Sequence, residues 1–71
     1  MITRQVTVVS GPQALYDGHV TTVAVVGLVK EGNGLPDSFC AVEILGDKMP
    51  VVGQIIEVEH DSSRSIQLVY R

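Results

Sequence analysis

The run at residues 19–29, HVTTVAVVGLV, limits what this chain can become more than any other stretch. It is mostly valine and threonine, whose branched Cβ atoms crowd the preceding turn of a helix and suit a pleated strand. Val20, Ala24, Val26 and Leu28 share one parity, and Val23, Val25 and Val29 share the other. A strand apolar on both parities has both faces at least partly covered, as in a central strand bending around a barrel. Glycine inside a strand often marks such a corner, and Gly27 is the candidate for it.

The rest of the chain repeats the period of two. At residues 2–9, Ile2, Val6 and Val8 alternate with Thr3, Gln5 and Thr7, with Arg4 interrupting the apolar face near its end. Residues 10–19, SGPQALYDGH, hold a breaker cluster, Ser10-Gly11-Pro12, and a turn dipeptide, Asp17-Gly18. This segment is either a long, mobile hairpin loop or a bulged strand with a mobile tip. Residues 30–38 are a loop with two glycines and a proline. In the strand at 39–45, Cys40, Val42 and Ile44 alternate with Phe39, Ala41, Glu43 and Leu45. A connection at 46–53 contains Pro50, which cannot donate to a central ladder. A closing hairpin follows, with Ile56, Val58 and Ile55 on its first strand and Ile66, Leu68 and Tyr70 on its second. No window has a helical period.

Five short strands in 71 residues make one domain, residues 1–71. An open sheet this small would leave adhesive edges, and closure removes them. The expected fold is therefore all-β: a small five-stranded antiparallel barrel, OB-fold-like, or alternatively an SH3-like barrel. A domain of this size buries only about 60% of the surface its unfolded chain exposes. Such domains are commonly reinforced by disulfides, metals or partner chains. A single cysteine, Cys40, excludes an intrachain disulfide and fits a reducing, cytoplasmic setting. His19, His60 and Cys40 show no CxxC or HxxxH spacing, so no metal or other cofactor is expected. Self-association, a homodimer in the simplest case, is left as the reinforcement. No stretch reaches the ~18 apolar residues of a membrane span.

Catalysis is not expected. Glu57 and Glu59 share one face with His60 just beyond, but alternation on a hairpin places them toward solvent. A lone cysteine in an apolar strand behaves as a small hydrophobe. Gly32 and Gly34 precede no helix that could hold a phosphate. Single-strand nucleic-acid binders join a basic groove to aromatic platforms. Tyr16, Arg4, Lys30, Lys48 and Arg64 are the residues of that type here, at strand ends and in loops. The net charge of −3 opposes this use.

The order of features resembles the gene V-type single-stranded-DNA-binding proteins of filamentous phages. An alternating strand, ITRQVTVV, leads to a loop with a tip. A Gly-x-x-Thr step, Gly18 to Thr21, starts a long second strand. A third strand ends before a Pro-x-x-Gly turn, Pro50 to Gly53, and a closing hairpin follows. That hairpin also looks like the one in translation initiation factor one. The phage resemblance implies an OB-type barrel, a two-fold homodimer, a protruding first-hairpin wing and cooperative coating of single-stranded DNA during replication in a bacterial cytoplasm. The chain departs from the family at Gly18-His19-Val20, which carries no aromatic residue, and in its acidic charge. The other expectation is a protein-interaction or structural barrel without nucleic-acid affinity, extended by strand addition from a partner. Interspersed charges would favour it; segregated charges would favour DNA.

Overall fold

A computed structural model describes residues 3–71. Five strands occur in chain order: β1 Thr3–Asp17, β2 Val20–Val29, β3 Ser38–Ile44, β4 Ile55–His60 and β5 Leu68–Tyr70. They close into a barrel in the order β1-β2-β3-β5-β4, with β1 also paired to β4. This is an all-β, OB-fold-like barrel. Four pairings are antiparallel and one, β3 with β5, is parallel. The parallel pair is a matter of parity: directions cannot alternate all the way round a ring with an odd number of strands. Among the described residues, no helix is long and apolar enough to cross a membrane.

β1 runs straight through Ser10-Gly11-Pro12. It does so as a bulged strand, with register shifts between Val8 and Ser10 and between Ser10 and Gln13. Gly11 takes φ +104° there, and a Cβ on it would lie 3.1 Å from the Val25 Cα. Beyond the bulges, Gln13–Asp17 pairs regularly with Val20–Ala24. The hairpin loop is Gly18-His19, one residue later than the Asp17-Gly18 dipeptide suggests. A positive φ at Gly18 alone fits a turn whose first central residue must be glycine. The result is a two-stranded arm that rises from the barrel, where the sequence left open a loop over 10–19.

The core is aliphatic. Val6, Val8, Val25, Val29, Val42, Ile44, Ile56 and Val58 form one buried cluster, with Val23, Cys40, Leu68 and Tyr70 packed against it. Ile2 lies outside the described residues. On β2 the inward parity is therefore Val23, Val25, Gly27 and Val29. Gly27 is buried and its φ is unremarkable; a Cβ there would overlap Val6 Cγ1. Ile55 differs from expectation: it is 66% exposed and faces outward, because Ile56 and Val58 hold the inward parity of β4.

A second, smaller buried group sits on the outside. Ala24, Glu43, Val69 and Glu59 follow one another across β2, β3, β5 and β4 in direct register, so they share the outer face. Ala24, Glu43 and Val69 are nonetheless buried. The β4–β5 connection accounts for this. Its Arg64, Ser65 and Ile66 line a cavity of about 380 Å³ together with Val20, Thr22 and Glu43, so it lies against the outer wall of β2 and β3.

Candidate interaction surface

The five residues singled out from the sequence do not converge. Arg4 sits at the start of β1, and its Nη2 is 3.4 Å from Glu31 Oε2. Glu31 also accepts a hydrogen bond from the Ser38 hydroxyl at 2.9 Å. Lys30, adjacent to Glu31, is exposed at that same end of the barrel. Lys48 is exposed in the β3–β4 connection, which leaves from the opposite end of β3. Tyr16 is on the arm, 80% exposed. Arg64 lies over the outer wall, bonded to Glu43.

Every arginine is engaged by acid. Arg64 donates from Nε to Glu43 Oε1. That hydrogen bond holds the Glu43 carboxyl below its ordinary range, against the opposing effect of burial, and raises the Arg64 guanidinium. Arg71 donates to Glu59 at 3.0 Å and lies 3.7 Å from Asp61. Asp61 is itself lowered, chiefly by the Ser63 hydroxyl and amide that donate to it. Only Lys30 and Lys48 lack an acidic partner among the described residues. The charges are thus interspersed over the barrel and neutralised locally.

The Cys40 thiol donates weakly to the Gly27 carbonyl at 3.7 Å. Burial raises its pKa, with Arg4 opposing and Glu31 adding to the rise, so it stays protonated near neutrality. Glu57 is exposed, while its neighbour on the same face, Glu59, is held by Arg71. His60 Nε2 is 3.1 Å from Gln67 Oε1. Among the described residues, no three His, Cys, Asp or Glu side chains meet as a metal site would need.

What the fold does assemble is an uncharged outer stripe. Phe39 pairs with Leu28, Leu28 with Thr7, and Thr7 with Ile55. Ala41 and Val26 form the next row. Directly paired residues share a face, so these side chains stand together on the outside of β3, β2, β1 and β4. Phe39 is 70% exposed. The turn that follows Pro50 continues the apolar surface beside β1: Val51 and Val52 are exposed, and Gly53 and Gln54 bond to Val8 at 2.8 and 2.9 Å. Sequence reasoning missed this stripe. The alternation sets Phe39 and Ala41 apart from Cys40, Val42 and Ile44 without saying which set is buried, it groups Ile55 with the apolar residues of the closing hairpin, and no local signal joins β3 to β4.

Comparison with protein-family models, with curated proteins and with solved structures finds no match to this chain.

Proposed function

We propose that this chain is a non-catalytic interaction barrel that docks a protein partner on its outer stripe. One observation carries the reading: Phe39 and Ile55 stand mostly exposed at the two ends of one outer row, Phe39-Leu28-Thr7-Ile55, whose four residues bear no charge. Monomeric proteins rarely expose contiguous apolar patches beyond a few hundred Å² without using them. Local neutralisation of Arg4, Arg64 and Arg71 supports the same reading, because counterion release needs cations free to meet phosphates. A cytoplasmic setting suits a domain whose single thiol is free.

Single-stranded DNA binding is a second reading, favoured by the exposed rings of Tyr16 and Phe39 and by Lys30 and Lys48. The resemblance to phage coat proteins supports it, and base–aromatic stacking is the interaction it would use. The two readings separate in two experiments. In the first, labelled oligothymidine is titrated with protein at low and moderate salt, with duplex DNA as control. No saturable binding is expected up to high micromolar protein; tight, salt-sensitive, single-strand-selective binding would move the assignment to DNA. In the second, a photo-crosslinking amino acid replaces Phe39. It should capture one protein reproducibly, and Ile55→Asp in the same chain should abolish the capture. Capture indifferent to Ile55→Asp would overturn docking on this stripe.

A further inference from the structure

The arm has two free edges, and they are not alike. β1 pairs with β4 only as far as Thr7, so its edge is open along the arm. That edge is broken by two register shifts and by Pro12, which has no amide hydrogen to offer. Such devices are how natural sheets blunt an edge. β2 meets β3 only from Ala24 onward, which leaves Val20, Thr21, Thr22 and Val23 without a paired strand on that side among the described residues. Among the described residues, no backbone hydrogen bond from a loop covers them. These four residues are all β-branched, uncharged and in unbroken register with β1. They have the makings of a pairing edge: no bulge, proline or charge interrupts it, and the β4–β5 connection, which lines a cavity with Val20 and Thr22, lies against the outer face of β2.

We infer that this edge pairs with the same edge of a second copy, joining two arms into a four-stranded antiparallel ribbon. A two-fold axis normal to the ribbon relates two antiparallel copies of one strand, and it preserves which face is which. Some residue must then oppose its own copy. The barrel lets the axis lie no further along β2 than Thr21, and that position uses the free stretch most fully. With Thr21 on the axis, residues 19–23 of each copy lie opposite residues 23–19 of the other, and the pairing stops where β3 begins. With Thr22 on the axis, Val20 of the second copy would fall opposite Ala24, where Glu43 already pairs.

Charge and stability both favour a second copy as the occupant. The chain carries net charge −3, so two copies repel least where they meet through an uncharged segment. A lone two-stranded ribbon is marginal in water, whereas three or more strands with an apolar face hold together. The arm presents Tyr16 at 80% and Val20 at 63% exposure on its two faces. Doubling the ribbon sets each beside its symmetry mate's residues and shares the covering between copies. This inference uses a different surface from the outer stripe and does not depend on it.

The experiment exploits the axis. A residue at position 21 meets itself, so Thr21→Lys and Thr21→Glu each set like charges face to face, while an equal mixture sets opposite charges together. Sedimentation equilibrium should show a wild-type dimer and, for either variant alone, dimerisation weakened about tenfold or more. Mixing the two variants should restore the dimer, and circular dichroism of each variant confirms that the barrel is folded. Hydrogen exchange of wild type adds a second measurement: the amides of residues 20–23 should slow as concentration rises. A wild type that stays monomeric to high micromolar concentration would overturn the inference. So would dimers unaffected by either charge, or lost with Phe39→Ser instead, which would put the contact on the outer stripe.

Discussion

Gly27 faces inward, and the methyl of Val6 occupies the space its side chain would need. Val6 is fully buried and has nowhere to retreat in a core of short, stiff side chains. Gly27→Ala should therefore cost about 1–3 kcal/mol by overpacking, read as a lower urea midpoint with an unchanged slope. Adding Val6→Ala should recover part of that loss, which a purely conformational role for the glycine would not allow. The sequence singled out Gly27 as a bend, and the residue is special, but the reason is room for a neighbour on β1. That neighbour is set by pairing between strands, which one chain read alone does not display. Cys40 is a case where residue type sufficed. Its raised pKa and partial burial predict slow reaction with a disulfide reagent at mildly alkaline pH and a sharp acceleration on unfolding.

The β4–β5 connection shows what an ion pair does for an irregular element. Glu43 and Arg64 lie 21 residues apart, and their bond fastens this connection to the outer wall of β3. Breaking a pair from one side leaves the other charge stranded, so Arg64→Met should loosen the connection and expose Ser62, Ser63 and Ser65 to limited proteolysis. Adding Glu43→Gln should restore resistance in part. The same pair sets an acid limit. The folded carboxyl of Glu43 is lowered relative to its usual value near 4.5, so its contribution is complete above that pH and disappears as pH falls through the lowered value. Thermal melts from about pH 5 down to about pH 3 should show a steeper loss for wild type than for the Glu43→Gln, Arg64→Met double variant. Period-2 alternation made β3 legible to within a residue, whereas β1 runs eight residues past the alternating segment at 2–9 and β5 begins two residues after Ile66. The ion pair was not legible: nothing local says that Glu43, in the outward parity, is covered from outside, or that the cover comes from Arg64.

Closure is the property that binds these parts into one molecule. β1 carries two ladders, with β2 and with β4, and β5 contributes three residues that bridge β3 and β4. Removing any contributor opens the ring, so unfolding should be a single transition with the same midpoint by circular dichroism and by hydrogen exchange. Val69, wholly buried though on the outer face, is the sharpest probe of the short strand. Val69→Asp buries a charge between Glu43 and Glu59 and should cost about 4 kcal/mol or more, enough to unfold a domain of this size. A five-stranded barrel was legible in composition and alternation; the parallel pair follows from counting strands around a ring. The pairing of Thr3 with Glu59 has a consequence for biogenesis. A ribosome delivers β1 first, yet the strand cannot complete its second ladder until β4 has been made. Until then one of β1's two ladders stays open, so the ring closes only once the chain through β4 and β5 has left the ribosome.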